Sequence, residues 1–269
     1  MTQKKLYFGT NLKMYQGIAS TVRFLTDLKA IVPPKAYERF ELFVIPSFTA
    51  LDRAGQLLLD TPILLGAQNI SWAEQGQFTG EISASMLKEV GAVIAEIGHS
   101  ERRHVLHETD EEENAKVLCA LRNGLRPLLC IGETEQQKED KITAEVLRSQ
   151  LKLGLRGVSP EEVSRLLIAY EPVWAIGVSG KPATKEYAEQ VHYLLRQTLA
   201  ELFGSAYAAQ IPLLYGGSVN SANAAELIMQ PHIDGLFVGR SAWSAEGFTD
   251  LLQIALAAVN EKLNEEDCL

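Results

Sequence analysis

Short apolar runs recur along the chain, and longer stretches with helical periodicity separate them. The runs are Leu6–Asn11, 41–45, 63–67, 93–97, 127–131, 166–170, 212–215 and Gly235–Val238. Each has four to six residues and reads as apolar on both faces, the pattern of parallel strands covered on both sides. Val22, Leu25, Leu28 and Ile31 then fall at three- and four-residue spacings, which predicts a helix over 21–30 capped by Ser20. Thr109 followed by Glu112 predicts a capping box, with the acidic run from Asp110 to Glu113 as a solvated helix start. Ser159-Pro160-Glu161-Glu162 is another start signal, with proline at the first helical position. Residues 184–203 and 248–263 read as longer amphipathic helices.

Eight alternations in 269 residues leave about 34 residues per strand–helix unit. No Ser/Gly/Pro-rich linker divides the chain, so one α/β domain over residues 1–269 is expected, as a closed (β/α)8 barrel of eight parallel strands. A doubly wound open sheet fits less well. The first strand runs into Gly9-Thr10-Asn11-Leu12-Lys13, which lacks the glycine spacing of a dinucleotide loop.

Composition narrows the class. With 46% hydrophobic and 22% charged residues the chain is not disordered. A net charge of −9 argues against a nucleic-acid partner, yet leaves room for a small anion held by local amides. No apolar run approaches a membrane span, and Gly9, Asn11 and Lys13 interrupt any leader after Lys4 and Lys5. Three cysteines (Cys119, Cys130 and Cys268) form no disulfide framework, so a cytoplasmic setting is expected.

In a barrel, residues just after each strand share one face, and that face carries the active site. Asn11 and Lys13 follow the first strand, His99 and Glu101 the fourth, and Glu171 the sixth. The seventh leads into Gly216-Gly217-Ser218 and the eighth into Gly239-Arg240-Ser241, two turns suited to holding a phosphate. Taken singly each residue has a bland reading, such as a surface lysine or a hydrogen-bonded histidine; their convergence carries the site. Cys130 is read as a buried structural thiol, and His104 with His107 lacks a third metal ligand.

The motifs Asn11-x-Lys13-Met14, Gly66-Ala67-Gln68-Asn69, Phe78-Thr79-Gly80-Glu81 and Ile97-Gly98-His99-Ser100-Glu101-Arg102-Arg103 resemble those of the triosephosphate isomerase family. So do the segments beginning Cys130-Ile131-Gly132-Glu133-Thr134, Tyr170-Glu171-Pro172-Val173-Trp174 and Tyr215-Gly216-Gly217-Ser218, and the resemblance runs end to end. It implies that Glu171 is a carboxylate base and His99 a neutral imidazole that polarises the substrate oxygens. Lys13 supplies positive charge, Asn11 a positioning hydrogen bond, and Glu101 lies close to both Lys13 and His99. The phosphate would meet the backbone N–H groups of Gly177, Ser218, Gly239 and Arg240. Residues 172–183 correspond to a mobile lid, and the loop from Trp72 to Gly80 to the segment that interlocks homodimers. No metal and no organic cofactor is implied.

The function implied is interconversion of dihydroxyacetone phosphate and glyceraldehyde 3-phosphate through an enediolate, in glycolysis and gluconeogenesis. Four departures open an alternative. Leu12 stands where the family usually has tryptophan, and Tyr15 where it has asparagine. The lid from Gly177 to Gly180 is one residue longer, and Arg240 replaces a glycine of the phosphate turn. These suggest a four-carbon ketose phosphate such as L-erythrulose 1-phosphate, handled by the same residues. A non-catalytic phosphate-binding barrel is the third reading, which the joint presence of Asn11, Lys13, His99 and Glu171 disfavours.

Overall fold

The computed structural model describes residues 5–177 and 180–266, the side chains of 263–266 excepted. Eight parallel strands close on themselves in chain order: β1 (Leu6–Asn11), β2 (Phe40–Ile45), β3 (Leu64–Ala67), β4 (Ile94–Ile97), β5 (Arg126–Ile131), β6 (Leu167–Tyr170), β7 (Leu213–Tyr215) and β8 (Gly235–Val238). Every expected strand is present, with bounds within one residue. The closing pair is β1 with β8, Tyr7 lying opposite Gly235 and Thr10 opposite Val238. The architecture is therefore the (β/α)8 barrel anticipated from the alternation.

Period-two alternation sorts each strand between two cores. Tyr7, Phe43, Ile45, Ile94, Leu128, Cys130, Leu167, Ala169, Leu214 and Phe237 fill the barrel interior. Their strand neighbours, such as Phe8, Leu42, Val44, Ala95 and Ile168, pack outward against the helices. Among the described residues no helix is long and apolar enough to cross a membrane.

Several local expectations need correction. The first helix spans Ile18–Ile31 and starts at Gly17, which makes no side-chain capping bond; Ser20 lies inside it and donates to the Gly17 carbonyl at 3.1 Å. The capping box at Thr109 and Glu112 forms in both directions, opening Asp110–Arg122. The acidic run after it is not wholly solvated, because Glu113 is buried against Arg103 and burial, with Arg103 opposing, pushes its carboxyl up to about 8. The start signal at Ser159 yields only a 3-10 turn, Pro160–Arg165, and the last helix begins earlier, as Ala245–Glu266. The fourth strand is not apolar on both faces: Glu96 sits on its interior side, fully buried.

Candidate active site

Asn11, Lys13, His99, Glu101, Glu171, Gly177, Ser218, Gly239 and Arg240 all line one pocket at the carboxyl ends of the strands. The site begins where β1 ends. Lys13 adopts a left-handed backbone (φ 50°), a costly conformation for a side chain with a Cβ. Its N–H donates to Asn11 Oδ1 at 2.7 Å and its carbonyl accepts from Gln68 Nε2 at 2.9 Å, so both neighbours hold the turn. Gln68 also donates to Asn11 Oδ1 at 3.0 Å. The Lys13 ammonium thus turns into the pocket, where it donates to Glu101 at 2.8 Å. Burial opposes the charged form of Glu101, but the Lys13 hydrogen bond and charge outweigh it and hold the carboxyl below its ordinary value.

His99 precedes the helix Ser100–His104, and its Nδ1 accepts from the Glu101 backbone N–H at 3.1 Å. An imidazole accepting at Nδ1 carries its single proton on Nε2. Burial lowers the His99 pKa, with Lys13 adding to it against the carboxylates Glu171 and Glu101, so the ring is neutral. Its Nε2 lies 3.7 Å from Glu171 Oε2, which also accepts a long 3.4 Å bond from the Ser100 N–H. Glu171 is only 3% exposed. Two glycines make room for it: a Cβ on Gly216 would lie 2.8 Å from Glu171 Cγ, and one on Gly132 only 1.9 Å from its carbonyl oxygen. Among the described residues Glu96, His99 and Glu171 offer polar atoms within 4.8 Å of one another.

Surrounding polar networks set these elements in place. Arg103 donates to the carbonyls of Gly98 and Cys130 and pairs with Asp110 and Glu113, tying the turn after β4 to β5. Buried Glu133 accepts from Tyr170 Oη at 3.0 Å, Trp174 Nε1 at 2.9 Å and Tyr187 Oη at 2.9 Å. It therefore anchors the segment that follows Glu171. Cys130 is fully buried, and burial raises its thiol well above the ordinary value, as suits a structural residue.

The opposite end of the pocket is built from backbone. Gly177 has φ 90°; chain neighbours apart, no atom of the described residues lies within 4 Å of where a Cβ on Gly177 or on Gly239 would be. Asn223 Nδ2 holds the Ser218 carbonyl at 2.9 Å. Arg240 opens a 3-10 turn, is exposed, and makes no side-chain hydrogen bond or ion pair among the described residues. Of the expected lid, Pro172–Gly177 and Gly180–Ala183 are described, while Val178 and Ser179 lie outside the described residues.

Three contributors escaped the sequence reading. Gln68, within the Gly66-Ala67-Gln68-Asn69 motif, holds the Asn11–Lys13 turn. Trp243 donates from Nε1 to the Asn11 carbonyl at 2.8 Å and packs on Tyr15 with ring centroids 4.7 Å apart, forming a pocket wall. Glu96 accepts from Asn11 Nδ2 at 2.7 Å. A lone carboxylate inside an apolar four-residue strand was the available signal for Glu96, and the surrounding motif for Gln68; nothing local marks Trp243.

The family model described as triosephosphate isomerase matches residues 6–255. The chain is 45% identical over 256 residues to a Rhizobium etli protein named L-erythrulose-1-phosphate isomerase, covering 95% of this chain and 94% of the relative. Proteins of the same name from Rhizobium meliloti and Mycolicibacterium smegmatis are 43% and 42% identical. Those alignments cover 96% and 94% of this chain, and 100% and 94% of the relatives.

Proposed function

The chain belongs to the triosephosphate isomerase family and is an isomerase of that class; from this premise we propose that its substrate is a four-carbon ketose phosphate, L-erythrulose 1-phosphate. The observation that carries the proposal is the near full-length identity of 42–45% to relatives bearing that name. It favours the four-carbon reading over dihydroxyacetone phosphate, and with it a setting outside glycolysis and gluconeogenesis. The departures at Leu12, Tyr15 and Arg240 support the same choice. Leu12 is fully buried, and the wall beside it is formed by the Tyr15–Trp243 pair. The exposed Arg240 guanidinium stands at the phosphate end with no partner among the described residues.

The chemistry follows from the groups in place. Glu171 removes a proton from C3, the carbon beside the carbonyl and away from the phosphate. The electron pair moves to oxygen and forms an enediolate across C2 and C3. His99 Nε2–H, Asn11 Nδ2–H and the Lys13 ammonium stabilise the charge that develops on the oxygens. His99 moves a proton between the two oxygens, and Glu171 returns its proton to C2. Atoms balance: the carbonyl has shifted from C2 to C3, so the product is the tetrulose phosphorylated at C4. With a three-carbon substrate the same shift converts a ketose to an aldose.

Phosphate binding falls to the N–H groups of Gly177, Ser218, Gly239 and Arg240, with the Arg240 side chain adding charge. Closure of residues 172–183 would exclude water and limit loss of phosphate from the enediolate. A homodimer is part of the proposal: Trp72 and Phe78 stand 37% and 41% exposed on the 72–80 loop, and Met14 beside the site is 96% exposed. Buried, unpaired Cys119 and Cys130 suit a reducing cytoplasm. To test the function, purified protein is incubated with L-erythrulose 1-phosphate in D2O and followed by NMR. Deuterium at C3 of a 4-phosphorylated tetrulose, the carbon that was C2 of the substrate, supports the proposal; recovery of unlabelled starting material refutes it.

A further inference from the structure

In β4, Ile94 and Glu96 face the barrel interior while Ala95 packs outward, as period-two alternation requires. Glu96 has no exposed surface. A carboxylate there loses its water, and the site offers little in return. Its Oε2 accepts from Asn11 Nδ2, and its Oε1 faces Cys130 Sγ at 3.9 Å. The nearby cation is Lys13, whose ammonium donates to Glu101. From β6 comes Glu171, from the end of β4 His99, from the following helix Glu101, and from β5 the Cys130 thiol. Two buried carboxyl groups this close do not both ionise, and one keeps a proton. Glu171 opens to the pocket and Glu96 does not, so the proton belongs on Glu96. Burial first, then the charge of Glu171, push the Glu96 carboxyl well above the usual range, against the Asn11 hydrogen bond and Lys13.

Glu96 also completes the hold on Asn11. The Asn11 Oδ1 is taken by the Lys13 N–H and by Gln68, and one Nδ2 hydrogen goes to Glu96. With its amide pinned at both ends the side chain has a single orientation, and one N–H is left for a ligand.

We propose that Glu96 is a positioning residue of the isomerisation: a protonated carboxylic acid beneath the pocket floor that fixes the Asn11 amide and leaves Glu171 as the charged member of the pair. Once Glu96 ionises at alkaline pH, a second negative charge faces the base and the enediolate, and turnover falls. The inference rests on Glu171 acting as the base, and is independent of which sugar phosphate is turned over.

The test is the pH profile of kcat/KM for the wild type, Glu96→Gln and Glu96→Leu. Glutamine keeps a neutral acceptor for Asn11, so its kcat/KM at pH 7 should stay within about fivefold of wild type while the alkaline limb disappears. Leucine suits the apolar interior and orphans the Asn11 donor, so kcat/KM should fall about 10- to 100-fold. Superimposable profiles of wild type and Glu96→Gln, or full activity of Glu96→Leu, overturn the proposal. An inactive wild type would instead refute the functional reading. The carbon-13 titration of the Glu96 carboxyl, assigned by its loss in whichever variant folds, then still decides protonation. A carboxyl protonated at pH 7 supports the proposal, and one titrating in the ordinary carboxylate range overturns it.

Discussion

At the end of the pocket formed by β1, β4 and β6, Asn11, His99 and Glu171 are 7%, 5% and 3% exposed, and neighbouring side chains and backbone hold each of them. At the end formed after β7 and β8, the groups offered are backbone N–H donors and one exposed arginine that is unpaired among the described residues. The first end is set by its own contacts; on the proposed reading the second is completed by the phosphate. The difference bears on one departure from the family, Arg240, which lies at the open end, whereas Leu12 and Tyr15 follow β1. Every charged group at the buried end is linked to another, so a change there disturbs several protonation states at once. Arg240 at the open end costs nothing in desolvated neighbours, and specificity can drift there while the chemistry stays fixed.

The largest effect should come from breaking the buried end. Glu171→Gln removes the base while keeping the shape, and kcat should fall by about 10²- to 10⁴-fold. Titration of the variant with inorganic phosphate should show binding close to wild type. Equal loss of turnover and phosphate binding would mean that the two ends are not separable.

Arg240→Gly breaks the open end. KM should rise about tenfold, the worth of one charge-assisted contact to phosphate, with kcat within about threefold. A fall in kcat with KM unchanged would place Arg240 in the chemistry instead. Relative efficiency toward glyceraldehyde 3-phosphate should rise in the same variant, which localises the substrate difference to this turn.

A smaller effect on the site is expected from Phe78→Asp in the 72–80 loop. Sedimentation should show the wild type as a dimer and the variant shifted toward monomer, since a charge replaces an apolar contact. A monomeric wild type would remove the loop from the account of the site.

The smallest effect at neutral pH belongs to His192, outside the pocket. It is fully buried, and burial lowers its pKa to about 3. Because the unfolded chain takes up this proton first, the stability it contributes is complete above about pH 6.5 and is lost as pH falls toward 3. The thermal midpoint of the wild type should drop across that window more steeply than that of His192→Asn. Parallel curves would assign the acid sensitivity to the carboxylates.

The sequence made the barrel legible because strands buried on both faces carry a continuous apolar signal, and eight of them recur at even spacing. It failed where a tertiary partner decides. Ser20 looks like a cap, but Gly17 starts the helix because the buried face runs through Thr21, Phe24, Leu25 and Leu28. Glu113 looks solvated until Arg103, ten residues earlier, is seen to face it. In the site, residues that follow strands were readable from position alone. Glu96 was not, since its partner Asn11 lies 85 residues away and only barrel closure brings them together. Trp243 is 232 residues from the carbonyl it caps, and is equally invisible locally.

The measurement closest to the central claim is the ratio of kcat/KM for L-erythrulose 1-phosphate to that for glyceraldehyde 3-phosphate, taken on one preparation of the wild type. A pocket that accommodates one further hydroxymethyl carbon should favour the four-carbon substrate by about 10- to 200-fold. A preference for glyceraldehyde 3-phosphate at an efficiency near the diffusional ceiling would contradict the account.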